Sequence, residues 1–437
     1  MDYLPNVIFA IALLLGIGFF VSNVLKLVRN IKLGKDLDRS DNKPERWKNM
    51  ARIALGQSKM VSRPIAGFLH IVVYIGFIVI NIEVLEIIID GLFGTHRVFQ
   101  PLLGNSIYGF LIGTFEILAF LVLVAVIIFW LRRNIVQLKR FMSKEMKGWP
   151  KNDGNLILYF EIVLMSLFIL MNATDYSFQQ AGFGNPISQF VAPWFSEYPD
   201  ETLSSIEHTA WWAHIIGILI FLNYLYYSKH LHILLAFPNT FYANLQPKGQ
   251  FNNLSSVTKE VRMMMDPDAD PYAMPEEGAE EEIPEKFGAS DVTDLNWVQL
   301  LNAYTCTECG RCTSSCPANM TGKELSPRAI MMKTRDRLEE VGRNIDSNKG
   351  TFKDDGKQLL NDYITPEELW ACTSCNACVE ECPIDIDPLS IIMDMRRFLV
   401  MEQSAAPQEL NMMMTNIENN GAPWQYNQQD RLNWKDE

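Results

Sequence analysis

The chain has 437 residues, with 38 Lys and Arg against 51 Asp and Glu, for a formal net charge of −13. That acidic balance excludes nucleic acid as a main ligand, because a phosphate backbone selects a basic face. The length allows two domains or more, and the character changes along it: long apolar runs alternate with polar loops over residues 1–240, and the rest is polar and acidic.

Five apolar runs match the roughly 20 residues needed to cross a bilayer: 5–27, 64–90, 108–131, 156–174 and 209–236. The first has no basic residue ahead of it and no small-residue cleavage site, so it is expected to be a retained span. The loop after the first run is crowded with Lys and Arg from Lys26 to Arg63, and the loop after the third carries Arg132, Arg133, Lys139, Arg140, Lys144, Lys147 and Lys151. On the other side, loop 91–107 has only Arg97 and loop 175–208 has neither Lys nor Arg. Basic loops stay cytoplasmic. The expectation is a multi-pass protein of a bacterial-type inner (plasma) membrane, with its N-terminus outside and everything after the fifth span in the cytoplasm.

All six histidines fall in this half: His70, His96, His208, His214, His230 and His232. An ionisable residue inside a membrane points to function by default. His70 lies about 9 Å into the second span from its cytoplasmic end, at about 1.5 Å per residue. His230 and His232 sit at a similar depth in the fifth. Two imidazoles facing each other from different helices can ligate a b-type haem from both sides. His214 and His232 stand about five helical turns apart and so would share one face of a continuous helix. His230 would then point about 200° away from His232, toward headgroups or a haem propionate. Glu83, Glu86, Glu116 and Glu161 lie within or near spans, as befits proton uptake or release at a quinone site, or else helix-end carboxylates and interhelical hydrogen bonds. Lys229 is read as a contact to a propionate or quinone oxygen, or as an interfacial anchor.

Beyond the spans, MDPDADPYAMPEEGAEEEIPE lies in an acidic, Pro-rich stretch that cannot bury enough surface to fold alone. All eight cysteines come after it, between Cys306 and Cys382. Cys306-x2-Cys309-x2-Cys312-x3-Cys316-Pro317 is repeated as Cys372-x2-Cys375-x2-Cys378-x3-Cys382-Pro383, the dicluster ferredoxin spacing. Three thiolates of each run reach three corners of one cubane, and the fourth leaves after the turn to serve the other. Cys306, Cys309, Cys312 and Cys382 are expected on one [4Fe–4S] cluster, and Cys372, Cys375, Cys378 and Cys316 on the second. A structural zinc site, the rival, closes four ligands around one ion and usually draws on Cys-x2-Cys pairs.

Between the runs, SPRAIMMKTRDRLEEVG and EELWACTS favour helix. This region resembles the α-helical ferredoxin domain of heterodisulfide reductase C subunits and fumarate reductase iron–sulfur subunits. The segment IENNGAPW (417–424) with Arg431 and Trp434 resembles the stretch after the clusters in the first of these. RPIAGFLH (63–70) and YYSKHLHI (226–233) resemble the membrane domain shared by respiratory nitrate reductase gamma subunits and heterodisulfide-reductase-like respiratory proteins. That resemblance implies an inner haem b on His70 and His232. It also implies an outer haem on His214 and a histidine about ten residues after His70. This chain has Ile80 and Asn81 there, leaving His96 or His208 to substitute.

The expected fold is therefore all-α, a five-transmembrane-helix bundle followed by an α-helical ferredoxin domain. Its expected parts are a haem b and quinone domain (1–240), an acidic linker (241–292), the dicluster domain (293–402) and a C-terminal partner-docking tail (403–437). The expected function is electron transfer between a cytoplasmic redox partner and menaquinone or ubiquinone. Substrate chemistry is expected on a separate Fe–S subunit of the Cys-Cys-Gly type or on a flavoprotein, since this chain has no Cys-Cys pair. The alternative is a membrane-anchored redox sensor or scaffold without quinone turnover. Residue types do not fix the direction of flow, which depends on potentials set by burial and hydrogen bonding.

Overall fold

The computed structural model describes residues 3–267, 286–425 and 427–436. The five apolar runs form helices α1 (Leu4–Ile31), α3 (Pro64–Phe93), α4 (Phe99–Asn134), α5 (Trp149–Thr174) and α6 (Asp200–Tyr224); α2 (Lys43–Met50) lies in the first basic loop. Each of the five is long and apolar enough to cross a membrane. They pack as a closed ring, α1 on α3, α3 on α4, α4 on α5, α5 on α6 and α6 back on α1. Outward-facing side chains such as Leu14, Leu15, Phe68 and Phe110 are 68–78% exposed. A belt of that size suits hydrocarbon and not water.

The fifth run departs from expectation. After Tyr224 come two single 3-10 turns, Leu225–Tyr227 and Lys229–Leu231, before α7 (His232–Phe241) begins. Ser228 between the turns is extended (φ −114°, ψ 146°) and its side chain caps His230 N. Asp153, from the start of α5, accepts from Lys229 N at 3.2 Å and from the Tyr224 hydroxyl at 2.5 Å, which holds the break in place. His214 and His232 thus do not share one face of a continuous helix.

The cysteine-bearing half is helical too, with α8 (Ser255–Met265), α9 (Trp297–Thr305), α10 (Arg311–Ser314), α11 (Pro327–Ser347), α12 (Ala377–Glu381), α13 (Pro388–Met401) and α14 (Gln408–Asn420) as its main elements. The all-α expectation holds. Of the stretch expected as linker, 268–285 lies outside the described residues, and α8 has no buried residue. From Lys286 the chain is already packed: Ala289 and Val292 are buried, and Ser290 O accepts from Leu360 N at 2.9 Å.

The dicluster half seats on the end of the ring that carries the basic loops. Lys35 pairs with the backbone of Leu295 and Trp297 (2.8 and 3.1 Å), and a Cβ at Gly34 would meet Trp297 N at 2.7 Å. Arg328, fully buried, donates to Arg140 O (2.7 Å), Ser143 Oγ (2.9 Å) and Glu145 Oε1 (2.7 Å) in the second basic loop. Asn239 on α7 reaches Ile384 O (2.7 Å), and Lys59 reaches Asp385 (2.7 Å). Where α1 meets α9 and α11, Arg29 donates to Gly342 O (3.1 Å) and Asn30 to the Tyr304 hydroxyl (3.0 Å); a Cβ on Gly342 would fall 2.4 Å from Asn30 Nδ2. Gly342→Val is expected to overpack this seam at a cost of about 1–3 kcal/mol, read as a lower unfolding midpoint of the cluster-loaded chain in mild detergent. An unchanged midpoint would show the seam to be soft.

Candidate electron-transfer site

The two cysteine runs fold into two copies of one loop. Glu308 and Gly310 in the first, and Ser374 and Asn376 in the second, take positive φ (55°, 72°, 57° and 60°) at equivalent positions. Left-handed backbone of this kind turns successive N–H groups inward as an anion nest. Ser374 N already points at Cys372 Sγ (3.4 Å) and Ile386 N at Cys382 Sγ (3.2 Å). The helices after the two loops, α10 and α12, pack on each other.

All eight cysteines are free thiols. Cys306, Cys309, Cys312 and Cys382 line one cavity with Arg328, Met331 and Ile386. Cys316, Cys372 and Cys375 line a second, and Cys378 borders both. Each run therefore sends its last cysteine into the other run's cavity. A structural zinc site would close four ligands around one ion, whereas here the two cysteine sets line two cavities that share Cys378. Burial pushes the thiols of Cys306 and Cys378 up, to about 11 and about 12, so these sulfurs become thiolates by exchanging a proton for iron. The residues fit two [4Fe–4S] clusters. Cys375 is exposed, whereas Cys306, Cys316, Cys378 and Cys382 are buried.

Charge near the first cavity is organised around Glu308, 3% exposed between two of the cysteines. Lys229 and Arg335 both pair with it, Arg335 at 2.8 Å, and Lys229 also donates to Pro150 O at 2.7 Å. Burial alone would push the Glu308 carboxyl up; Lys229 and Arg335 outweigh it and hold the group below the usual carboxylate range. Lys229 is thus neither a lipid anchor nor a free contact for a propionate. It ties the break after α6 to the first cluster loop. Sequence reasoning missed Glu308, because a carboxylate between ligating cysteines looks like solvated surface until its two cations are seen.

The membrane residues separate into two groups. Lys229 O lies 3.0 Å from His232 Nδ1, which turns Nε2 away. The His230 ring stands 5.6 Å from that of His232 at 86°, and 5.4 Å from Phe221. His230 therefore faces the bundle and not the headgroups, because the helix break resets its direction. His70 Nδ1 is buried without a partner. His70, His230 and His232 lie within electrostatic reach of one another, and Arg311 of the first cluster loop within reach of His70.

Midway along α6, His214 is buried against Leu164 and Phe168 of α5 and meets no second imidazole there. His96 and His208 do not supply one. Both are exposed and engaged by carboxylates, Asp175 at 3.2 Å and Glu207 at 3.1 Å. Ile80 is buried, and exposed Asn81 bonds back to Phe77 O. Glu86 and Glu116 make interhelical hydrogen bonds, Glu83 is buried with one oxygen unpartnered, and Glu161 is half-buried on α5.

Fold and site together define a membrane-anchored dicluster iron–sulfur protein, in which eight cysteines hold two [4Fe–4S] clusters. Residues 305–386 match the model of the 4Fe–4S dicluster domain. The chain is 29% identical over 98% of its length to a probable iron-sulfur-binding oxidoreductase, FadF, of Bacillus subtilis, covering 60% of that protein. It is 25% identical over 98% of its length to the EtfAB:quinone oxidoreductase of Syntrophomonas wolfei, covering 59%. Over 25% of the chain it is 31% identical to the C subunit of a ferredoxin/F420H2-dependent CoB-CoM heterodisulfide reductase of Methanosarcina acetivorans, covering 53% of it. The chain thus spans about three fifths of the first two relatives. No solved structure gives a significant match.

Cys316→Ser is expected to perturb the same EPR signal as Cys375→Ser, and Cys382→Ser the same signal as Cys309→Ser; pairing by run instead would refute the crossed ligation. Lys229→Met removes a buried cation beside the first cluster and leaves Glu308 short of a partner. The potential of that cluster should fall by tens of millivolts, with the second cluster nearly unmoved, in a redox titration followed by EPR.

Proposed function

We propose that this chain carries electrons between a cytoplasmic redox partner and the quinone pool, through two [4Fe–4S] clusters and one haem b. The observation that carries the reading is the seating of the first cluster loop on the histidine-bearing end of the bundle, with Arg311 within reach of His70. One-electron carriers stacked in this way join a soluble reaction to a lipid-soluble one. His70 and His232 suit a haem b: one has a buried unpartnered ring nitrogen, and the other is held by a backbone carbonyl that fixes its tautomer. When bound, the haem supplies a one-electron relay between helices. His230, Arg311 and Phe221 form the surroundings that set its polarity.

The quinone link is supported by the likeness to the EtfAB:quinone oxidoreductase, whose name joins EtfAB to a quinone. The quinone is menaquinone or ubiquinone. The placing of the clusters in the cytoplasm rests on the basic loops, which gather at the end where the clusters sit. The cytoplasmic partner is a flavoprotein or a Cys-Cys-Gly-type Fe–S subunit. It docks on the tail from 403 to 437, where Met412, Ile417, Trp424, Leu432 and Trp434 are 47–73% exposed.

A reduced-minus-oxidised spectrum of the anaerobic protein should show a b-type haem band. His70→Ala and His232→Ala should each remove it while leaving the iron–sulfide content intact. A wild-type spectrum with clusters but no b-type band would end the haem assignment and favour direct transfer from cluster to quinone.

A further inference from the structure

We propose that Glu83 is the proton-exchanging carboxyl of the quinone reaction, and that it communicates with the end of the bundle remote from the clusters. This deepens the proposed function and rests on its quinone reading. Glu83 lies on α3, 4% exposed, and its Oε2 is buried with no hydrogen-bond partner. The charged groups facing it are Glu86 from its own helix, Arg97 from the α3–α4 connection and Glu116 from α4.

The carboxylates around it are satisfied. Glu86 accepts from Phe99 N (2.8 Å) and the Tyr108 hydroxyl (3.1 Å). Glu116 accepts from Asn172 Nδ2 (3.1 Å), Ile187 N (2.9 Å) and Ser188 N (3.0 Å). Asp90 accepts from Arg97 N (2.8 Å). A carboxyl as buried as Glu83, with an oxygen left idle among such neighbours, is costly to leave as an unpaired charge.

A polar seam beside it begins at Glu86, one turn further along α3, and leads to the remote surface. Tyr108 touches Glu86 and, at 3.4 Å, Arg97; Arg97 holds Asp175 at 2.9 Å; Asp175 meets His96, whose side chain is 56% exposed. Arg97 keeps its proton and is the fixed cation that stabilises Glu83 when it becomes a carboxylate. His70 and Glu83 stand thirteen positions apart on α3, roughly 20 Å along its axis. A quinone headgroup that reaches Glu83 takes two electrons from the histidine end and two protons, one at a time, from Glu83, giving the hydroquinone. Each proton lost is replaced from the remote end of the bundle, the side on which Glu86, Tyr108, Asp175 and His96 lie. Hydroquinone oxidation runs the same transfers backward.

The test uses the full chain in detergent, with reduced methyl viologen as donor. Decylubiquinone, which takes up protons, is compared with ferricenium, which takes none. For Glu83→Gln the ratio of quinone to ferricenium reduction should fall about a hundredfold or more, and Glu83→Asp should recover part of it. In vesicles sorted by protease accessibility of the cluster domain, quinone reduction should alkalinise the compartment opposite that domain. An unchanged ratio in Glu83→Gln, an equal loss with both acceptors, or alkalinisation on the cluster side overturns this proposal while leaving the quinone reading intact. A wild-type chain that reduces ferricenium but no quinone overturns both.

Discussion

The structure turns on one ionic junction. Lys229, at the break after α6, and Arg335, on α11, meet on Glu308 inside the first cluster loop. Removing such charges from water is expensive, and a pair of this kind persists only when its geometry and extra hydrogen bonds are complete. Here they are: Lys229 also reaches Pro150 O, and Asp153 lies 3.6 Å away. The same short stretch of chain therefore sets the height of the cluster loop above the bundle and, through its carbonyl oxygen, the orientation of His232. A rigid seat matters because electron transfer falls off steeply with separation, and a hinged domain would not keep one.

The two ends of the ring are built differently. At the cluster end, cations dominate: Arg311, Arg328, Arg335 and Lys229 surround a site whose thiolate-ligated clusters are negatively charged. At the remote end, carboxylates outnumber cations, and Arg97 alone joins Asp175, Asn172 and Tyr108. The ring packs these two chemistries into one shell of helices whose outer surface is apolar. Electrons need only proximity and can cross that apolar middle, whereas protons need polar groups and are confined to where those occur.

Much of this was legible in the sequence. Lipid demands long apolar helices that satisfy their own backbone, so the five runs could be counted from composition, with ends that shifted by several residues. The cysteine spacing was equally plain, since no other metal needs that repeat. What could not be read was the break at Ser228. LYYSKHL is as permissive of helix as of turns, and the outcome depends on Asp153, some seventy residues earlier in the chain, capturing Lys229 N and the Tyr224 hydroxyl. The helical-wheel argument for His214, His230 and His232 failed for that reason alone. His96 and His208 looked free because their carboxylate partners sit in another loop or directly before them in the same helix. Arg97 was conspicuous as the lone basic residue of its loop, yet its burial among acids is a tertiary fact.

The duplicated cysteine loop ends in unlike surroundings. The first copy is roofed by the bundle and by buried arginines, while the second leaves Cys375 at the surface. Dioxygen and small oxidants meet an iron–sulfur cage where its ligands are open to solvent, so the outward cage is the one that corrodes first. The inner cage, screened by the rest of the molecule, outlasts it, and an aged preparation would retain the centre nearest the bundle after losing the one that opens to solvent.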